Sequence, residues 1–178
     1  MYNVVDNNNI NDISVINKWN FYIHYSDNKS WDLKSYIHLI NIDNLTQSIL
    51  FEEQLSSGIM QNCMIFVMKD GIKPMWEDEK NKDGGCFSYK INNKILYKVF
   101  KLLYFSLITN KLTSNEDLST KINGISISPK NTFTPKKNFS ILKIWVETCD
   151  YMDPELIYNI EGLNTHGCIF KKHKPDYS

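Results

Sequence analysis

The sequence predicts one α+β domain, in which a single curved, mostly antiparallel β-sheet is backed by three α-helices on its convex face. Strand patterns outnumber helical patterns, and short turns join most of them. The helical patterns fall between groups of strands, so the helices can cover one face of the sheet and leave the other open to a ligand. A chain of 178 residues is long enough for one such domain with a substantial core.

Apolar patterning places seven strands. In the first of them, Trp19, Phe21 and Ile23 share one face. His24 lies on the opposite face, and we interpret it as a surface or sheet histidine, because no carboxylate or nucleophile accompanies it in the sequence. The predicted strands are 18–25, 36–40, 63–68, 86–91, 122–128, 139–145 and 167–172.

Three segments have helical signals. The first is 44–57, capped by Asp43 or Asn44 and stopped by Gly58. The second is 94–110, and the third is 153–163, where Asp153 caps and Pro154 takes the first helical position. The apolar stripe of the second helix comprises Ile95, Val99, Leu102, Leu103, Ser106 and Leu107.

Charge and composition narrow the class of protein. The 20 basic residues balance the 20 acidic ones, so the sequence has no broad basic footprint for long nucleic acid, and any contact with a polyanion must be local. Every basic residue is a lysine, and asparagine is abundant. This bias is typical of an A/T-rich coding sequence and is consistent with a viral or parasite source.

The cysteine pattern and the lack of long apolar runs indicate a soluble protein of the cytoplasm. The cysteines are scattered without zinc-type spacing, which favours free thiols in a reducing compartment over a metal site. No apolar run approaches the length of a membrane span, and the start of the chain has no signal core. We expect a flexible N-terminal segment over residues 1–14 and one domain over 15–178. The four cysteines are Cys63, Cys86, Cys149 and Cys168.

The segment 69–85, KDGIKPMWEDEKNKDGG, is predicted to be a loop that presents Trp76 and Glu77. Pro74 and the pair Gly84-Gly85 oppose a helix or a strand through Trp76. An indole face attracts a flat cationic ring, and a neighbouring carboxylate can accept two parallel hydrogen bonds from an N–H/NH₂ edge. Guanine methylated at N7 has both properties. The alternative is an indole folded back onto its own domain.

The motif KDGI-PMWEDE-NK-GG resembles the signature of the translation initiation factor 4E family, which binds the 5′ cap of messenger RNA. The resemblance extends weakly from Lys18 to about His173. It implies a cap pocket at the concave end of the sheet, with the methylated base between Trp31 and Trp76 and with Glu77 reading its edge. The alternative for Trp31 is packing on the sheet edge.

The resemblance also implies the remaining contacts with the cap. Trp145 matches a tryptophan that lies against the methyl group, although a tryptophan on a central strand can equally be core. Lys130 falls where the family has a phosphate-binding arginine, whereas Ile141 and Cys86 fall on other basic positions of the family. Lys136 and Lys137 are candidates to replace the missing charge. Lys172 and Lys174 are candidates to reach the second nucleotide, or are merely solvated.

The resemblance also implies a binding surface for a short helix of a scaffold or repressor protein. The family contacts that helix through a tryptophan on the first helix and a leucine on the second, and these positions fall on Gln47 and Lys101, both of which are polar here. An interface without its apolar anchors loses its central contacts, so we expect weak binding of ordinary host scaffold or repressor peptides. A private scaffold protein is the alternative partner. We expect a monomer without cofactor, metal or membrane contact.

Two other functions remain open on the sequence. A cap-modifying enzyme would need a metal-holding carboxylate cluster, an activated nucleophile or a Gly-rich cofactor loop, and none of these is evident. A decoy or regulator that binds caps without recruiting the usual scaffold fits the polar anchors. The sequence does not separate this regulator from an initiation factor.

Overall fold

The computed structural model describes residues 14–130 and 138–174, which contain seven β-strands and four α-helices. Residues 1–13 of the predicted flexible segment lie outside these ranges, and Ser14 already belongs to the first strand. The elements are β1 (Ser14–Tyr25), β2 (Ile37–Asn44), α1 (Leu45–Gln54), α2 (Ser57–Asn62), β3 (Cys63–Lys69), β4 (Gly85–Asn92), α3 (Leu96–Ile108), α4 (Glu116–Lys121), β5 (Ile122–Pro129), β6 (Phe139–Val146) and β7 (Cys168–Lys172).

The described strands form one sheet in the order β2-β1-β3-β5-β6-β4-β7, and each neighbouring pair is antiparallel. The predicted α+β class with a curved antiparallel sheet is therefore confirmed. The strands β3 and β4 that flank the predicted Trp76 loop are not neighbours, because β5 and β6 lie between them.

The two faces of the sheet have different roles. Ile65 and Val67 of β3 point to the helices and join the main core with Phe100 and Leu103 of α3. We call this side the helix face. The alternate residues of β3 point the other way, where Phe66 and Met68 form a smaller cluster with Ile72 and Trp145. We call this side the open face. Burying a large apolar side chain stabilises a fold by about 1.5–3 kcal/mol, so the helix face provides most of the scaffold's stability.

The helix predictions need several corrections. Gly58 does not stop a helix: α1 ends at Gln54, and Ser56 caps α2 by accepting a hydrogen bond from the amide of Ile59 at 3.2 Å. Helix α4 was not predicted. In α3, the stripe is rotated from the predicted one. Its buried residues are Leu96, Val99, Phe100, Leu103, Tyr104, Leu107 and Ile108, whereas Ile95 and Leu102 are exposed.

The predicted helix over 153–163 is wrong. Asp153 does cap, through a 3.0 Å bond from the amide of Glu155, but the result is a single 3₁₀ turn over Pro154–Leu156. The chain is extended at Ile157, and Gly162 has a φ of 92°. Burial of apolar residues in an irregular path has overridden the local helix signal here.

Candidate functional site

A cavity of about 710 Å³ lies on the open face, and it contains most of the predicted cap-binding residues that the structure describes. Its size is typical of small-molecule pockets. Trp31, Trp76, Glu77, Trp145 and Lys130 line it. Lys172 and Lys174 do not line it, and Lys136 and Lys137 lie outside the described residues.

Trp76 is 55% exposed on the segment between β3 and β4, as its sequence context predicted. The carboxylate of Asp78 folds this segment by accepting bonds from the amides of Lys73 at 3.1 Å and Lys80 at 2.9 Å. Pro74 is buried, which anchors the chain just before the indole. The indole is therefore presented by an ordered loop whose backbone is held from within.

Asn81 ties this loop to the sheet, a role that sequence reasoning missed. Its buried amide donates to the carbonyl oxygens of Lys73 at 3.1 Å and Met75 at 2.8 Å. Its side-chain oxygen accepts a 3.0 Å bond from Asn123 on β5, and its carbonyl oxygen accepts a 2.6 Å bond from Nδ1 of His173. No local sequence signal indicates the tie to the sheet, because Asn123 and His173 are 42 and 92 residues away.

The pair Gly84-Gly85 serves close packing rather than a turn with positive φ. Neither glycine is among the residues with positive φ in the described chain. A Cβ on Gly84 would lie 1.9 Å from the carbonyl oxygen of Val146, and one on Gly85 would lie 2.6 Å from that of Lys171. The glycines therefore let β4 start directly beside its neighbours.

Trp31 is 53% exposed and packs on His24, not on the sheet edge. The two rings are parallel within 3°, and their centroids are 4.5 Å apart. His24 is completely buried on the open face of the sheet, so of its two interpretations the sheet histidine is correct and the surface histidine is wrong. Its Nε2 lies 2.8 Å from the carbonyl oxygen of Ser30. The indole has one face on the imidazole and also borders the cavity.

Glu77 supplies negative charge to the cavity. Its carboxylate makes no hydrogen bond or ion pair with residues 14–130 or 138–174, and the residue is exposed. Tyr36 lines the same cavity, and burial, followed by the negative charge of Glu77, raises the pKa of Tyr36 to about 12. A carboxylate in this position can accept hydrogen bonds from a ligand.

Trp145 is buried in the open-face cluster, as its alternative as a core residue predicts, and it also forms part of the cavity wall. It is 6% exposed, and its Nε1 donates to the hydroxyl of Ser126 at 2.9 Å. The rings of Phe66 and His173 pack against it with centroids 6.3 and 4.8 Å away. These contacts leave the indole one orientation.

Sequence reasoning missed several of the lysines that line the cavity. Lys143 lies two residues before Trp145, on the same face of β6, and is paired in register with Ser126 on one side and Ser88 on the other. Its Nζ is 5.8 Å from the Trp145 ring. The period of two along the strand could have identified Lys143 from the position of Trp145. The lysines that line the cavity are Lys90, Lys130, Lys143 and Lys171.

The predicted tail lysines differ in their surroundings. Lys171 faces the cavity, whereas Lys172, one residue further along β7, does not line it. Lys174 pairs with Asp83 at 2.7 Å. Ile141 lines the cavity as an apolar residue, and the buried thiol of Cys86 lies 3.5 Å from the Ser88 hydroxyl, so neither supplies a cation.

The surface of α1 and α3 contains the predicted partner positions. Gln47 accepts a bond from the amide of Asp43 at 2.9 Å. Lys101 pairs at 2.7 Å with Glu52, a buried carboxylate that also accepts from the hydroxyl of Tyr97 at 2.8 Å. Apolar side chains nevertheless remain exposed on both helices, namely Ile49, Leu50 and Leu102.

The residues that the structure describes lack the features of two other classes of protein. They contain no group of three or more His, Cys, Asp or Glu side chains that could hold a metal ion. None of their helices has the length and apolarity needed to span a bilayer.

Parts of this chain are similar in sequence to known proteins. A translation initiation factor 4E from Xenopus laevis is 54% identical over 41 residues, which are 23% of this chain and 19% of that protein. A homolog from Acanthamoeba polyphaga mimivirus is 37% identical over 62 residues, 35% of this chain and 23% of the relative. The chain thus matches about a fifth of the length of these relatives.

Solved structures of the same kind share the fold. Ascaris suum eIF4E-3, in a complex with an m7G cap, has a TM-score of 0.63 at 19% identity, covering 76% of this chain and 74% of that one. Caenorhabditis elegans eIF4E-3, in a complex with the 4E-binding protein Mextli and a cap analog, has a TM-score of 0.65 at 16% identity, covering 77% and 75%. The model of the family described as eukaryotic initiation factor 4E matches residues 14–166. That match spans most of the chain, which therefore belongs to the eukaryotic initiation factor 4E family.

Proposed function

We propose that this chain binds the 7-methylguanosine 5′ cap of messenger RNA and acts in translation initiation in the cytoplasm. The observation that carries the proposal is the pair of half-exposed indoles, Trp31 and Trp76, which border one cavity together with the carboxylate of Glu77. Large exposed indoles are costly in water, and a flat ligand between them would remove both from solvent.

The proposed sandwich would select the methylated base over unmethylated guanine. Stacking on an aromatic side chain is worth about 1–3 kcal/mol per base, and a cationic ring gains about 2 kcal/mol on a desolvated tryptophan. Unmethylated guanine is neutral and loses the second contribution. Glu77 would accept hydrogen bonds from N1–H and N2–H₂, and this charge-assisted pair favours guanine over adenine. Trp145 would contact the methyl group.

The phosphates would be held by lysines on the open face. Lys130, Lys143 and Lys171 line the cavity, and the Ser88 and Ser126 positions flank Lys143 in register. This arrangement compensates for Ile141 and Cys86, which have no charge. Lysine is a point charge without the planar fork of arginine, so the grip on each phosphate is less directional. Lys136 and Lys137 remain candidates for further contacts.

We also propose that the protein binds the cap without modifying it. Of the consecutive acidic residues, Asp78 is engaged with backbone amides of its own loop, while Glu77 faces the cavity. A cap-modifying enzyme is the alternative. Incubation of the protein with labelled capped RNA and Mg²⁺ tests it, because release of a labelled nucleotide would contradict a binding function.

A cap-binding regulator is the second candidate, and the ion pair between Lys101 and Glu52 favours it. This pair places polar groups where the family has an apolar anchor, so we propose that ordinary scaffold peptides bind weakly. The exposed Ile49, Leu50 and Leu102 could instead serve a private scaffold. We propose that the chain acts as a monomer in either role.

The direct test is quenching of tryptophan fluorescence by 7-methyl-GTP and by GTP. We expect tight binding of the methylated nucleotide by the wild type, and loss of the preference in Trp76→Ala and Glu77→Ala. Leu50→Ala is the matched control, because Leu50 is equally exposed, at 54%, but lies on α1. Equal quenching by both nucleotides in the wild type would contradict the proposal.

A further inference from the structure

The histidine behind Trp31 has a geometry that a merely space-filling residue does not require. His24 is completely buried, yet its ring lies parallel, within 3°, to an indole that is 53% exposed. The centroid separation of 4.5 Å corresponds to direct stacking. The indole is thus already stacked on one side while its residue lines the cavity.

The same imidazole also holds the backbone next to Trp31. Its Nε2 is 2.8 Å from the carbonyl oxygen of Ser30. A carbonyl oxygen only accepts hydrogen bonds, so Nε2 carries the hydrogen and donates. The ring therefore acts on the peptide immediately before Trp31 and on the plane of the indole itself.

Apart from this contact, Trp31 lies in an exposed part of its loop. Its chain neighbours Ser30 and Asp32 are exposed, and apart from the bond between His24 and Ser30 their hydrogen bonds stay within the same short loop, as in the 3.1 Å bond from the Ser35 amide to Asp32. Tyr36 packs on His24, at 5.1 Å, from another direction. His24 is the one aromatic partner recorded for Trp31 within the described ranges.

We propose that His24 is a positioning residue that holds Trp31 in the stacking orientation before a ligand arrives. The inference rests on the proposed function, because the ligand ring would complete a stack of His24, Trp31, the base and Trp76. When only a fraction of the protein molecules have the site in its binding-competent conformation, the apparent affinity for the ligand is lowered by that fraction. Fixing Trp31 in advance therefore raises the affinity without any contact between His24 and the ligand.

The test compares His24→Phe, which keeps a flat ring, with His24→Leu, which fills similar space without one. We expect affinity for 7-methyl-GTP to fall about tenfold in His24→Leu and to be restored in part in His24→Phe, which keeps the stacked ring but loses the bond to Ser30. In a Trp31→Ala background, His24→Leu should cause little further loss, because the two residues act as one unit. Equal, additive losses in both backgrounds would overturn the inference.

A second readout separates this inference from the proposed function. In the ligand-free protein labelled with 5-fluorotryptophan, the Trp31 resonance is assigned by its disappearance in Trp31→Phe. We expect it to be a single resolved line in the wild type and in His24→Phe, and to broaden or move towards the free-indole position in His24→Leu. An unchanged resonance in His24→Leu would overturn the positioning role. A wild type that ignores 7-methyl-GTP would instead overturn the proposed function.

Discussion

Nδ1 of His173 donates a 2.6 Å hydrogen bond to the carbonyl oxygen of Asn81, and this bond joins the segment that follows β7 to the loop that presents Trp76. Asn81 in turn holds Met75, the residue before the indole, at 2.8 Å. The position of Trp76 therefore depends on residues that are remote in sequence and that would not themselves contact a ligand.

We expect Asn81→Asp to weaken both the fold and binding. The substitution keeps the shape of the side chain but points an oxygen at the carbonyl groups of Lys73 and Met75, where an amide now donates. Loss of buried hydrogen bonds of this kind should lower the free energy of unfolding by about 2–4 kcal/mol. Urea denaturation measures this change. Asn41→Asp on the exposed side of β2 is the control, and equal effects of the two substitutions would contradict the role of Asn81.

Lys143→Ala should reduce affinity for 7-methyl-GTP about tenfold, because a charge-assisted hydrogen bond to a phosphate is lost. Affinity for 7-methylguanosine, which has no phosphate, should change little. Lys98→Ala removes a lysine that pairs with Glu161 at 2.6 Å on the helix face and should affect neither ligand. Isothermal titration with both ligands checks this prediction. A similar loss for nucleoside and triphosphate would show that Lys143 does not contact the phosphates.

The stability of the fold should fall in mild acid because of His173. Burial, outweighing the raising effect of its bond to Asn81, lowers the pKa of His173, and the charge of Lys143 adds to the lowering. The unfolded chain therefore binds a proton at higher pH than the folded chain does. The contribution to stability is complete above the unfolded pKa of about 6.5 and is lost as the pH falls from there towards the lowered folded value.

His173→Asn isolates this contribution, because an asparagine amide can take the place of the Nδ1 donor to Asn81 without titrating. Urea denaturation of both proteins between pH 5 and pH 8 measures the difference; these limits span the ordinary histidine range of roughly 6 to 7. We expect the free energy of unfolding of the variant to vary less over this interval. Parallel curves for the two proteins would rule out a contribution from His173.

Lys101→Leu should strengthen binding of an ordinary scaffold peptide to the surface of α1 and α3. The substitution adds an apolar side chain between the exposed Leu102 and the surface of α1, and it removes the cation that pairs with Glu52. Apolar anchors at the centre of an interface carry most of its affinity. Because Glu52 would keep only its bond from Tyr97, Glu52→Gln combined with Lys101→Leu is the companion variant. Fluorescence anisotropy of a labelled peptide measures the gain, and tight binding by the wild type would contradict the prediction.

Signals within a short stretch of sequence were enough to predict the loop that presents Trp76 and Glu77. Pro74, Trp76 and Glu77 are neighbours in the chain, and their loop presents them as expected. Asn81 and His173 escaped prediction because their partners are set by the packing of distant strands. The helix expected after Asp153 failed for the opposite reason: its cap signal was real, but tertiary burial ended the turn after Leu156.

β7 is an edge strand, and its register against β4 determines which of its lysines faces the cavity. Lys171 and Lys172 are adjacent, and successive side chains of a strand point to opposite faces, so sliding β7 by one residue would exchange which ammonium group the cavity receives. Gly85 leaves no room for a Cβ beside Phe170 and Lys171, and the amide of His173 bonds to the carbonyl oxygen of Gly84 at 3.0 Å. By fixing the alignment of β7, Gly85 helps to determine that the ammonium group at the cavity is the one of Lys171.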